Sequence, residues 1–112
     1  MSDVKPAGPE RDRQLAELLG CTGEAMSLAS LLDGTAVIAV LPAMEARGYN
    51  AKVECYSRTV AAANDSYRYY VEFHLADHWM GEPNGYGASD SLAEAITAAA
   101  IRALLAEREV QP

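Results

Sequence analysis

Glycines ahead of a helix can cradle a phosphate through backbone amides. This chain places Gly81, Gly85 and Gly87 before Ala88-Ser89-Asp90-Ser91-Leu92-Ala93-Glu94-Ala95. A phosphate loop ends in Gly-Lys-Ser/Thr, and a dinucleotide fingerprint needs a parallel βαβ unit with its own acidic residue downstream. The positions that would need Lys or Arg hold Ser89, Asp90, Ser91 and Glu94 instead. The glycines are therefore expected to shape a turn, and the serines and acids to cap a helix. His74 and His78, with Asp77 between them, could suggest a metal site. Along one strand they would stand roughly 13 Å apart, too far to share an ion. With no third ligand in view, both are expected to be ordinary surface histidines. Nucleophilic catalysis would need Cys21 or Cys55 beside a histidine base, or Ser57, Ser66 or Ser89 in a triad, and no such motif occurs. No catalytic, metal or cofactor-binding residue is assigned, and no cofactor is expected.

The aromatic residues carry more. Tyr56 and Tyr70 fall on the polar side of two alternating segments, together with Lys52 and Arg68, and Trp79 and Tyr86 follow in the next loop. Tyr, Trp and Arg dominate the energetic centres of protein interfaces. Tyr56, Arg68, Tyr70, Trp79 and Tyr86 are thus the candidate protein-binding residues. Cross-strand pairing that merely shields a sheet is the competing reading.

The elements that must hold these residues are legible in part. Pro9 opens a helix with Glu10 and Asp12 in its first turn, Leu15, Leu18 and Leu19 as its stripe and Gly20 as its stop. Residues 21–34 read equally as a short helix or a packed loop. A second helix is expected from about Thr35 to Arg47, capped by Asp33 or Thr35, with Val37, Val40, Leu41 and Met44 on one face and a kink at Pro42. Strict alternation then predicts strands over Tyr49 to Ser57 and Tyr67 to Leu75. A long connection, 58–66, separates them, with Asn64-Asp65 as its turn. The stretch 76–88 reads as a loop, with room for a short third strand near 78–81. Ser91-x-x-Glu94 is a capping box for a last helix whose apolar stripe includes Leu92, Ile96, Ala99 and Ala103.

The order α-α-β-β-α predicts an α+β two-layer sandwich, with helices on one face of a small antiparallel sheet. One domain over 9–107 is expected, between a flexible arm at 1–8 and a polar tail at 108–112, Glu107 beginning the polar stretch. At 112 residues the chain can bury a core without staples. Its two cysteines, Cys21 and Cys55, are expected to be free and buried. Sixteen acidic against nine basic residues leave a net charge of −7. That balance disfavours nucleic acids and anionic membranes and suits a basic partner. The first residues lack an apolar leader and no run reaches the ~18 apolar residues of a membrane helix, so a cytoplasmic protein is expected.

Two resemblances follow from quoted stretches. The Gly-x-Gly-x-Ser approach to an alanine-rich helix resembles the end of a double-stranded RNA-binding domain. In that family lysines at the helix start grip phosphates; Asp90, Ser91 and Glu94 stand in their place here, so the likeness implies topology and not RNA binding. From Leu15 onward the chain resembles the small phage "ABA sandwich" domain proteins. The residues concerned are Leu15-Ala16-Glu17-Leu18-Leu19-Gly20, Leu41-Pro42-Ala43-Met44-Glu45-Ala46-Arg47-Gly48-Tyr49, and Ser89 to Leu105. Cys21 stands where those proteins tend to have a Trp. The resemblance implies a non-enzymatic phage or prophage accessory protein, host-cytoplasmic, with no catalytic residues to carry over. Protein binding is the leading expectation, extending to a host-defence antagonist of the anti-CRISPR kind that presents an acidic, aromatic surface. The alternatives are a small-ligand or metal-dependent enzyme around His74, His78 and the glycine loop, and a degenerate nucleic-acid binder. A homodimer through the face of Tyr56 and Tyr70 is a further option.

Overall fold

The computed structural model describes residues 4–21, 26–75 and 81–110. Four helices and a three-stranded antiparallel sheet in the order β1-β2-β3 form an α+β fold among the described residues. Helix α1 is Pro9–Leu19, with Pro9 in its first turn and Gly20 closing it at φ 71°. Leu15, Ala16 and Leu18 are its buried face. Asp12, in the first turn, accepts a hydrogen bond from the Ser30 amide at 2.9 Å. The Ser30 hydroxyl in turn accepts from the Gly8 amide at 2.9 Å. Residues 26–32 form a packed series of turns, with Met26 and Ala29 buried and Leu28 at φ 63°.

Helix α2 is composite: Asp33–Thr35 is α-helical, Ala36–Val40 is π-helical and Leu41–Ala46 is α-helical again. The wide turn falls just before Pro42, whose ring would clash with the carbonyl four residues back and whose nitrogen has no hydrogen to donate. A π turn accommodates both defects without ending the helix. Ala36, Val40 and Met44 face the core, whereas Val37 is partly exposed and Ile38 is 77 % exposed. Neither Asp33 nor Thr35 caps α2. Asp33 instead accepts from the Ala93 amide at 2.9 Å, in the first turn of the last helix.

Strands β1 (Tyr49–Cys55) and β2 (Tyr69–Leu75) pair in the expected alternation, Tyr49 opposite Leu75 and Cys55 opposite Tyr69. Their connection holds helix α3, Arg58–Ala63, which the sequence reading missed. Ser57 caps it by accepting from the Val60 amide, and Asp65 turns the chain at φ 51°. The third strand is Gly85–Ser89, not 78–81. Residue 81 lies in a bend, and 78–80 fall outside the described residues. The glycines expected to make a turn are strand residues, and their lack of a side chain has another use. A Cβ on Gly85 would lie 2.3 Å from the Ala103 nitrogen and 2.4 Å from the Ala99 oxygen, and one on Gly87 would lie 2.3 Å from the Ala95 oxygen. Two strand residues advance ~6.8 Å and four helix residues ~6 Å, so Gly85 and Gly87 match the row Ala95, Ala99, Ala103. Strand and helix meet backbone to backbone.

That last helix, α4, is Leu92–Val110 and is the centre of the fold. From Ala93 to Leu104 every residue except Glu94 and Arg102 is buried. One side rests on β3 and β2, and the other meets α1 and α2. Thr97, fully buried, has its hydroxyl 2.7 Å from the Ala93 carbonyl and 3.1 Å from that of Ala29. The Ser91 hydroxyl accepts from the Glu94 amide, one half of the capping box. The Glu94 carboxylate accepts from the Ser89 hydroxyl and faces Arg11 at 3.7 Å. Burial lowers the Arg11 pKa, with Glu94 opposing the shift. The helix runs through Glu107, where the sequence reading began a polar tail. Glu107 accepts from the Tyr49 hydroxyl at 2.7 Å and pairs with Arg47 at 3.2 Å.

Among the described residues α4 lies over β3 and β2, and on the helix-facing side of β1 Tyr49 is buried. Ala51, Val53 and Cys55 on that side are exposed. Cys21 and Cys55 are both free, as expected, but exposed and not buried. Among the described residues, no helix is long and apolar enough to cross a membrane.

Candidate functional site

The helix-free face of the sheet is built by parity. Glu54, Tyr70 and Ala88 lie side by side across the three strands, as do Lys52, Glu72 and Tyr86. Tyr70 and Tyr86 sit diagonally on neighbouring strands, with ring centroids 5.8 Å apart and planes tilted by 31°. Tyr86 is held from its other side by Arg102 of α4, which donates to its carbonyl at 2.9 Å and places its guanidinium 5.7 Å from the ring centroid. Tyr56, just past β1, donates its hydroxyl to Glu54 at 2.6 Å. Hydrogen bonding to that carboxylate raises the Tyr56 pKa. Burial, then the charge of Glu72, raises that of Tyr70. Both phenols thus remain neutral donors in neutral solution.

A concavity of about 700 Å³ opens between this face and helix α3. Glu54, Tyr56, Val60, Asp65, Tyr67, Tyr69 and Tyr70 are among the residues that line it. Four tyrosines and two carboxylate residues therefore line one concavity, Tyr69 from the opposite parity, and no Lys or Arg lines it among the described residues. The face of an aromatic ring attracts a cation, more strongly where water is partly excluded.

Of the five residues singled out from sequence, Tyr56, Tyr70 and Tyr86 stand on this one face. Arg68 shares their parity but is otherwise engaged. Its side chain donates to the Tyr56 carbonyl at 3.3 Å, and its guanidinium lies 5.1 Å from the centroid of the Tyr69 ring. Its amide donates to Asp90 at 3.1 Å, so Arg68 ties β1, β2 and the approach to α4 together. Trp79 lies outside the described residues, as do Asp77 and His78. Sequence reasoning overlooked Tyr67, which it took as the first residue of the second strand. Tyr67 precedes the first paired residue of β2, is 58 % exposed and lines the concavity. It also overlooked Glu54, whose signal was its position two residues before Tyr56 on one face of the strand.

His74 corrects another expectation. It is 4 % exposed, with Nε2 2.7 Å from Glu72 Oε1 and no hydrogen-bond partner for Nδ1 among the described residues. It sits two residues from Glu72 on the same side of β2, so the strand's own alternation brings the pair together. No group of three or more His, Cys, Asp or Glu side chains is disposed to hold a metal ion among the described residues. Gly85 and Gly87 turn toward α4 and are closed off by it, so this stretch offers no phosphate cradle. No protein-family model, curated protein or solved structure matches the chain.

Proposed function

We propose that this chain is a small non-enzymatic accessory protein that acts by binding another protein through the helix-free face of its sheet. The observation that supports this reading most is the convergence of Tyr56, Tyr67 and Tyr70 with Glu54 and Asp65 around one open concavity. Tyrosine supplies rigid contact area with a polar tip at low entropic cost. The carboxylates among the rings favour a partner segment carrying Arg or Lys, as does the net charge of −7. The phage or prophage attribution, and with it antagonism of a host defence system, rests on the sequence resemblance.

Titration with arginine- and lysine-containing peptides, against glutamate-containing ones of equal length, tests the reading. Cationic peptides are expected to bind, to weaken as salt rises, and to lose about tenfold in affinity, roughly 1.4 kcal/mol, in Tyr70→Ala and in Glu54→Gln. Equal binding of both peptide classes, or cationic binding unchanged in both variants, would count against it.

A further inference from the structure

The two edges of the sheet are not alike. At the β3 edge, Arg102 reaches over from α4 and bonds the Tyr86 carbonyl. At the β1 edge nothing comparable is present among the described residues. The Tyr56 amide donates to the Arg68 carbonyl at 2.7 Å, which makes Tyr56 and Arg68 a hydrogen-bonded pair. Bonded and non-bonded pairs alternate along an antiparallel ladder. Asn50, Lys52 and Glu54 therefore turn their amides and carbonyls toward β2, and Ala51, Val53 and Cys55 turn theirs to the free edge. The other end of the ladder agrees: the Leu75 amide, opposite Tyr49, is taken by Asn84 and not by β1. The same three edge residues expose apolar side chains on the helix side, Val53 at 46 %.

We propose that β1 pairs antiparallel with β1 of a second copy of this chain, joining two sheets into one of six strands. Symmetry, backbone and charge together select the register. A two-fold axis perpendicular to the sheet keeps the helices of both copies on one side, so residues of like parity must oppose each other. Centring the axis on Val53 sets Val53 against itself and Ala51 against Cys55 of the second copy as hydrogen-bonded pairs. Lys52 then opposes Glu54 of the second copy, twice over, in the closer non-bonded positions. Moving the axis one residue either way opposes Lys52 to Lys52, or Glu54 to Glu54. Moving it two residues leaves Lys52 opposite Asn50, or Glu54 opposite Tyr56. Lys52 and Glu54 already stand 3.7 Å apart within one chain; only this register adds unlike charges across the axis and makes an alternating cluster of four, and it covers Val53. An open edge strand normally carries a device against such pairing; Lys52 would be that device if Glu54 did not neutralise it across the axis.

Sedimentation equilibrium of the full chain over a range of concentrations, in reductant, is expected to show a monomer–dimer equilibrium. Lys52→Glu alone and Glu54→Lys alone should each weaken the dimer about tenfold, and the two together should restore it, because the pairs are then merely reversed. For the register, Ala51→Cys in a Cys21→Ser background should give a covalent dimer on oxidation, since bonded pairs stand ~5.5 Å apart at Cα, within disulfide reach. Cys21→Ser alone should not, because Cys55 then faces Ala51. A chain that stays monomeric at all concentrations overturns the proposal. So does a dimer indifferent to both charge reversals, or one that cross-links through Cys55 alone. A dimer lost in Tyr70→Ala but not in the charge variants would belong to the tyrosine face and would refute the pairing of β1.

Discussion

Gly85→Ala adds one methyl group at a place where the structure has no room for it. The new carbon would sit 2.3 Å from the Ala103 nitrogen, 2.4 Å from the Ala99 oxygen and 2.7 Å from the Ala103 Cα. Ordinary contacts between such atoms run near 3.5–4.0 Å, so α4 and β3 would have to part by about 1 Å or more. All three atoms belong to helix backbone, which cannot rotate aside as a side chain can. Overpacking of one methyl costs about 1–3 kcal/mol, and this geometry belongs at the top of that range. Replacing Gly in a strand otherwise gains roughly 0.5–1 kcal/mol through the unfolded chain. The expected net loss is about 2–2.5 kcal/mol, a large share of the ~5–15 kcal/mol of a typical domain. Urea unfolding should show the midpoint falling with the slope unchanged, and Tm should drop by about 10 °C. Gly34→Ala is the control: a Cβ there meets nothing within 4 Å, and the residue lies in α2. It should leave stability unchanged or raise it by up to ~1 kcal/mol. Combining Gly85→Ala with Ala103→Gly should not restore stability, because the obstruction is main chain. Equal stability of Gly85→Ala and the wild type, or rescue by Ala103→Gly, would refute the backbone-to-backbone seat.

Tyr49→Phe should cost about 1 kcal/mol at neutral pH through loss of the bond to Glu107. Burial, then that bond and the Glu107 charge, raise the Tyr49 pKa well above its ordinary value of 10.0. The neutral phenol therefore contributes stability that is fully present below pH ~10 and is lost as pH rises toward the folded-state value. Urea unfolding between pH 8 and 11.5 should show this alkaline decline in the wild type and a flatter one in Tyr49→Phe; identical slopes would contradict the assignment. Ser30→Ala should cost about 1–3 kcal/mol, because the Gly8 amide loses its buried acceptor. Differential scanning calorimetry reads this directly, and a Tm within 2 °C of wild type would mean that water replaces the hydroxyl.

Where side chains alternate, the sequence reading and the structure coincide. Tyr49, Ala51, Val53 and Cys55 oppose Leu75, Phe73, Val71 and Tyr69 as the pattern predicts, which placed Tyr56 and Tyr70 on one face correctly. Strand β3 was missed because its helix-facing positions are Gly85, Gly87 and Ser89, too small to register as apolar. Glycine is read as a turn by default, although a glycine in a strand also marks close backbone approach. Tyr86 joined the tyrosine face only once β3 existed. Helix α3 had a usable signal, Ser57 ahead of Val60-Ala61-Ala62-Ala63, obscured by reading 58–66 as a long connection with a turn at Asn64-Asp65. The exposure of Cys55 could not be read from alternation, which reports a side of the sheet and not whether a helix reaches that far. Pro42 was read as a kink; the structure spreads its cost over a wider turn that keeps Ala36, Val40 and Met44 buried in the core.

Strand β3 divides its duties by odd and even number. Gly85 and Gly87 admit no side chain at all, and their neighbours Tyr86 and Ala88 belong to the opposite face, where Tyr86 meets Tyr70 and the guanidinium of Arg102. Variation at 88 therefore leaves the backbone seat of α4 untouched, and a mutation library restricted to the exposed outward positions, apart from the buried His74 and the Arg102-bound Tyr86, would sample new binding specificities at little cost in stability. A scaffold so arranged can change what it recognises one residue at a time, while the adjacent residue in the chain is held invariant by sterics.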